Sequence, residues 1–284
     1  MTSARILDGN LAASHIKSEL IARISRLSTK PGLATILVGN DPGSISYVAG
    51  KHRDCAEDGI ESIRLELPAE TSTEVLISKI ADLNSDPRCT GMIVQLPLPP
   101  QLNSLEILSK VDPGKDADGL HPINLGKLVL NQSSIHPCTP LAIVELAKRN
   151  QISFSGKDVV VIGRGTTVGR PLGLLLSQKS SNATVTLTHT GTHKLPEHTK
   201  RADIIIVAIG RPHFLTAEMV KSGAVVFDVG ITRSDDGLVG DVHPDVAQVA
   251  SALAPMPGGV GPMTRAMLLS NIVSLAEANE GKNH

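Results

Sequence analysis

Asp158-Val159-Val160-Val161-Ile162-Gly163-Arg164-Gly165-Thr166-Thr167-Val168-Gly169-Arg170-Pro171 is the stretch that decides the fold of this chain. After Asp158, its next four residues are a short β-branched run, the signature of a buried strand. A glycine loop comes next, and residues 172–178 supply a helix. Glycines let a backbone approach a pyrophosphate, and a helix N-terminus offers free N–H groups and a favourable dipole. The spacing is G-x-G-x-x-x-G, one residue longer than the commonest dinucleotide fingerprint. Its place between a strand and a helix points to a nucleotide-binding fold.

Downstream, strands are expected at residues 183–187, 203–208 and 224–228. The first ends at Thr188-His189-Thr190, and the other two run into Gly210-Arg211-Pro212 and Val229-Gly230-Ile231. An NAD site usually carries an Asp or Glu for the ribose hydroxyls after the second strand. None stands here, and Arg164 lies in the glycine loop, a balance that favours NADP. Upstream, residues 33–38, 60–67 and 90–95 read as strands. Helices are expected at 7–27, around Tyr47, at 71–83 and at 141–149, the last with Thr139 as cap and Pro140 at its first position. Strand and helix alternate throughout, so the class is α/β, built from parallel βαβ units with right-handed crossovers. A domain boundary falls near residues 138–139.

The upstream half holds the chemistry-bearing residues. Tyr47, the only tyrosine, and Lys51 are spaced i,i+4, which places an aromatic plane and an amine on one helix face. Asp41-Pro42-Gly43-Ser44 would start that helix and Gly59 would stop it. Spacing alone fits better the plainer reading, in which Tyr47 fills a core gap while Lys51 snorkels to solvent. Gln95 sits at the C-terminal end of a strand, where ligands collect in open α/β sheets. The loop Lys115-Asp116-Ala117-Asp118-Gly119-Leu120-His121-Pro122 is either a solvated turn or a means of aiming one carboxylate at a ligand.

Composition narrows the class. Hydrophobic residues make up 41% and charged residues 19%, a core-forming balance for a chain of 284 residues, enough for two domains. A net charge of −1 and 1% aromatics leave neither the basic field nor the stacking rings of a nucleic-acid binder. Cys55, Cys89 and Cys138 show neither a disulfide framework nor zinc-ligand spacing, and the histidines show no H-E-x-x-H or H-x-H pattern, so no metal is expected. No apolar run is long enough for a membrane span or a signal core, so a cytoplasmic protein is expected.

Taken together, the motifs resemble the bifunctional methylenetetrahydrofolate dehydrogenase/methenyltetrahydrofolate cyclohydrolase family. The resemblance covers nearly the whole chain. It rests on Tyr47-x3-Lys51, Val94-Gln95-Leu96-Pro97-Leu98-Pro99, Lys115-Asp116-Ala117-Asp118-Gly119, Pro137-Cys138-Thr139-Pro140, Gly163-Arg164 through Pro171, and Pro257-Gly258-Gly259-Val260-Gly261-Pro262-Met263-Thr264. It implies oxidation of 5,10-methylenetetrahydrofolate with NADP, then hydrolysis to 10-formyltetrahydrofolate, within one-carbon metabolism and purine biosynthesis. By the same resemblance Tyr47 stacks on the folate, Lys51 is the catalytic amine, Gln95 tunes it and Asp118 grips the pterin. Pro257, Gly258 and Gly259 close over the folate, and Gly163, Arg164, Gly165, Thr190 and Ile231 line the NADP site. It further implies a homodimer of two-domain subunits, with a catalytic domain (1–138) and a Rossmann-like NADP domain (139–261). The last helix (262–284) returns to the catalytic domain, and the active-site cleft lies between the two. Gly165 and Thr190 stand where serine is common in the family, and Ala142 where glycine is. Gly240-Asp241-Val242 keeps the family's pattern, and from His243 the chain departs from it. The alternatives are a two-domain NADP dehydrogenase of a small hydroxy or amino acid, and a non-catalytic NADP-binding sensor.

Overall fold

A computed structural model describes residues 3–234 and 237–281. In chain order the elements are β1 (Arg5–Ile6), α1 (Gly9–Ile24), β2 (Gly32–Val38), α2 (Pro42–Asp58), β3 (Glu61–Leu67), α3 (Thr73–Ser85), β4 (Gly91–Val94), α4 (Ser104–Leu108), α5 (Pro122–Val129) and α6 (Cys138–Arg149). They continue as β5 (Asp158–Ile162), α7 (Gly169–Ser177), β6 (Thr184–Thr188), α8 (Leu195–Thr199), β7 (Ile204–Val207), β8 (Val225–Asp228), β9 (Thr232–Ser234), β10 (Gly237–Val239), β11 (Ala252–Ala254) and α9 (Val260–Glu280). The chain divides into two compact units. One holds the residues up to Ser14 with Thr139–Thr264, the other His15–Cys138 with Arg265 onward.

The unit containing His15–Cys138 is built on a parallel sheet in the order β3-β2-β4. β2 is central and buried along its whole length, as a run that is apolar but for Thr35 requires. Ile36, Val38, Met92 and Val94 pack there with Leu76, Ile80 and Leu83 of α3. α2 forms for local reasons. The Asp41 side chain accepts from Ser44 N at 2.7 Å, Pro42 opens the first turn, and Gly59 closes the helix at φ 80°. Ser72, one of two expected caps, accepts from Val75 N at the start of α3.

The other unit carries a six-stranded sheet in the order β1-β11-β8-β7-β5-β6, every pairing parallel. Its core gathers Val160, Ile162, Ile205, Val207, Val226 and Leu253. β5 lies between β6 and β7, so the chain reverses its winding direction beside β5. Open α/β sheets collect ligands outside the strand ends at such a switch point.

The first described residues join the six-stranded sheet, where β1 pairs with β11 through Arg5↔Ala252 and Ile6↔Leu253. Strands of two and three residues are too short to show a periodic pattern. The helix expected at 141–149 starts at Cys138, so Thr139 is a first-turn residue and not the cap. Pro140 is compatible with either start, since the first four N–H groups of a helix have no partner within it.

Candidate active site

α2 delivers Lys51 into the protein, not to its surface. The side chain is 6% exposed, and Nζ lies 4.6 Å from the centroid of the half-buried Tyr47 ring. Nζ also donates to Gln95 Oε1 at 3.0 Å. Gln95 directly follows β4. Its Nε2 donates to the Leu96 carbonyl at 2.7 Å, so Oε1 is the atom left to face the amine. Burial pulls the Lys51 pKa below the usual lysine range, while the charge of Asp118 opposes that shift. A neutral carbonyl takes an N–H from either form of the amine, so Gln95 positions Nζ without charging it. Burial also raises the pKa of the Tyr47 hydroxyl, with the Asp118 charge acting in the same direction, so the ring stays neutral.

The two carboxylates of the loop after β4 have separate fates. Asp116 is 4% exposed and consumed by the fold. It accepts from His121 N at 2.8 Å, Asn124 Nδ2 at 2.9 Å and Leu120 N at 3.3 Å. Asp118 is half-exposed, interacts electrostatically with Lys51 and faces the Cys138 thiol. Burial, reinforced by that carboxylate, holds the thiol pKa well above its usual value. Gly119 makes the loop possible: its φ is 70°, and a Cβ there would stand 2.4 Å from the His136 carbonyl carbon.

Sequence reading missed the residue that ties this loop down. Asn271, buried in α9, donates from Nδ2 to the Ala117 carbonyl at 2.9 Å and the His136 carbonyl at 3.1 Å, and lies 3.4 Å from Cys138 Sγ. The available signal was a lone amide in an apolar helix. Asn271→Ala should cost about 1–3 kcal/mol, because the Ala117 and His136 carbonyls lose the amide that ties them together. Denaturant unfolding checks this, and an unchanged midpoint would mean the loop is held by other contacts. Arg265, also missed, pairs with Asp54 at 3.2 Å, and Lys17 reaches Asp54 at 2.5 Å and Glu57 at 3.1 Å, which anchors α2. Gly50 gives Arg265 room, since a Cβ would fall 2.5 Å from Nη1.

The other unit brings the expected cofactor residues to the C-terminal ends of adjacent strands. Gly163 follows β5 with φ 121°, and its N–H donates to the Thr188 carbonyl at 3.0 Å. A Cβ on Gly163 would stand 2.4 Å from the Ala208 carbonyl oxygen, and one on Gly169 would stand 2.1 Å from the Gly163 carbonyl oxygen. The glycines thus close the loop tightly over the start of α7, the cradle a pyrophosphate needs. Arg164, Gly165 and Thr190 are exposed around it, and Ile231 is 51% exposed beyond β8. Pro257, Gly258 and Gly259 lie in this same unit, ahead of α9, where Gly9 N donates to the Gly258 carbonyl. They are not in the unit that holds Tyr47, Lys51, Gln95 and Asp118.

Residues 7–118 match the tetrahydrofolate dehydrogenase/cyclohydrolase catalytic domain, and residues 137–280 match the NAD(P)-binding domain of the same proteins. The chain belongs to the tetrahydrofolate dehydrogenase/cyclohydrolase family. It is 42% identical to the bifunctional FolD methylenetetrahydrofolate dehydrogenase/cyclohydrolase of Campylobacter jejuni, covering 98% of this chain and 100% of that one, with a TM-score of 0.94. The Trypanosoma brucei methylenetetrahydrofolate dehydrogenase-cyclohydrolase, solved with NADP and an inhibitor, is 37% identical over 99% of both chains, with a TM-score of 0.93. The bifunctional enzyme of Thermoplasma acidophilum is 33% identical, covering 98% of this chain and 100% of that one, with a TM-score of 0.92. A dehydrogenase of small hydroxy or amino acids, and a non-catalytic sensor, find no support in these matches.

Proposed function

We propose that this member of the family oxidises 5,10-methylenetetrahydrofolate to 5,10-methenyltetrahydrofolate with NADP and then hydrolyses the product to 10-formyltetrahydrofolate. One observation carries the assignment of the site: a buried amine, Lys51, held by Gln95 beside the Tyr47 ring and within the field of Asp118. Absorbance of reduced nicotinamide, followed with methylenetetrahydrofolate and each cofactor in turn, tests the first activity. Loss of methenyltetrahydrofolate without cofactor tests the second.

Bound NADP supplies the hydride acceptor. The chain's own contribution to that step is placement. Gly163, Gly165 and the N-terminus of α7 receive the pyrophosphate, and the Tyr47 ring offers a flat face to the folate. Asp118 accepts the paired N–H groups of the pterin's amino-pyrimidinone edge, a match that charge strengthens. In the second step water attacks the methenyl carbon, loses a proton, and one ring nitrogen gains one as its bond to carbon breaks. Lys51 is the group that moves that proton, because burial has lowered its pKa towards the range where an amine can act as a base.

Arg164 reads the 2′-phosphate that separates NADP from NAD. It is exposed at the mouth of the glycine loop, and no acid stands among the residues directly after β6, His189 to Lys194. Losing a charge-assisted bond costs about 1.5–3 kcal/mol, so Arg164→Ala should raise the NADP KM about tenfold or more. NAD kinetics should hardly move. An unchanged NADP/NAD ratio would place phosphate recognition at another residue.

The protein works in the cytoplasm as a homodimer and supplies formyl groups to biosynthesis, including that of purines. Cys55, Cys89 and Cys138 are free and buried, as suits a reducing compartment. β3 pairs with β2 alone among the described strands, which leaves one strand edge open to a second copy. Light scattering on the purified chain tests the dimer. No helix among the described residues is long and apolar enough to cross a membrane.

A further inference from the structure

We propose that Asp241 and Asp228 are positioning residues of the dinucleotide site, two buried carboxylates that hold the loops after β7 and β8 in the shape the cofactor meets. Asp241 is fully buried. Its Oδ2 accepts from Ile209 N at 2.7 Å and Gly210 N at 3.0 Å, and its Oδ1 accepts from Arg211 N at 2.6 Å. Three consecutive N–H groups of one loop therefore end on one side chain.

Asp228, the last residue of β8, performs the same service for Asp241 itself. It accepts from Asp241 N at 2.8 Å and from Val242 N at 3.0 Å, and the Gly230 N–H also reaches it. Burial pushes its pKa up to about 7 against these bonds, so the carboxylate occupies this position at a cost that surface placement would avoid. Two glycines exist to admit the pair. A Cβ on Gly230 would stand 2.0 Å from the Asp241 carboxylate, and one on Gly240 would stand 1.9 Å from Asp228 Oδ2.

The loops held this way border the glycine cradle. The Ala208 carbonyl, one residue before the Asp241-bound stretch, is the group that leaves no room for a side chain on Gly163. Gly230, pressed against Asp241, directly precedes Ile231. One carboxylate thus fixes the β7 loop against the β5 loop and limits where the β8 loop can run. With the N–H groups of residues 209–211 spent on Asp241, that loop has none of them to offer a cofactor.

Asp241→Asn keeps the size but replaces one acceptor oxygen with an NH2 group facing backbone N–H. Gly230→Ala attacks the same contact from the other side, with Asp241 intact. The readouts are the NADP Kd, measured by calorimetry on the full chain without folate, and methenyltetrahydrofolate hydrolysis measured without NADP. A buried donor left unpaired predicts a rise in Kd of about tenfold or more in both variants. Hydrolysis should stay within about twofold of wild type, since Tyr47, Lys51, Gln95 and Asp118 lie in the other unit. A Kd that stays near the wild-type value in either variant overturns the inference. So does a hydrolysis rate that falls in step with NADP affinity, because the carboxylates would then support the whole fold and not this site.

Discussion

Lys51→Met should nearly abolish hydrolysis of methenyltetrahydrofolate while leaving measurable NADP-dependent oxidation, with the methenyl compound accumulating. The two steps differ in what they ask of the protein. Hydride departure is driven by the substrate's own nitrogen lone pair and needs no proton from a side chain. Hydration needs one removed from water and one delivered to nitrogen. General acid–base help of this kind is worth about 10²–10⁴ in rate. Methionine keeps the length of the side chain and suits the buried position, so the loss should appear in kcat and not in folding. Lys51→Arg should rescue little, because a guanidinium does not release its proton near neutral pH.

The same amine predicts a pH profile. Lys51 acts as a base only when deprotonated, and burial has lowered its pKa from the usual lysine value. Hydrolysis should therefore fall as pH drops through that lowered pKa and recover above it, and the variant should lack this limb. Wild-type hydrolysis by Lys51→Met would assign the base elsewhere. Complete loss of oxidation in a variant that still binds folate would make Lys51 a substrate-positioning group.

What was legible in the sequence was what local chemistry dictates. The strand, glycine loop and helix at 158–177 come from steric demands within a few residues, and the start and stop of α2 come from Asp41 and Gly59. The Tyr47 and Lys51 pair was visible as helical spacing, but its burial was not, because burial depends on the elements packed against it. Lys51 meets Gln95 across 44 residues of chain, and Asn271 meets Ala117 across 154. No periodicity encodes such contacts. The two carboxylates at 116 and 118 looked alike in sequence and were separated only by the backbone N–H groups that gather on Asp116. Asp241 was visible as part of a family motif, yet its three N–H donors lie about 30 residues earlier.

Asp118→Asn should depress oxidation and hydrolysis together while NADP binding persists. Asp118 lies on a loop fixed on both sides, by Asp116 and Asn271, so a change of its end group should not move its backbone. The amide then presents a donor where the pterin edge also presents donors. Loss of a charge-assisted pair is worth about 1.5–3 kcal/mol, which predicts a folate KM raised about ten- to a hundredfold in both assays. A second effect has a definite sign. The Asp118 charge holds the Lys51 pKa up, so its removal lets burial lower that pKa further. The pH limb of hydrolysis should move to lower pH in the variant, even though its rate at saturating folate is reduced. An unchanged folate KM would mean the pterin is held by other residues. Loss of hydrolysis alone, with oxidation intact, would make Asp118 a participant in proton transfer with Lys51 and not an anchor for the substrate.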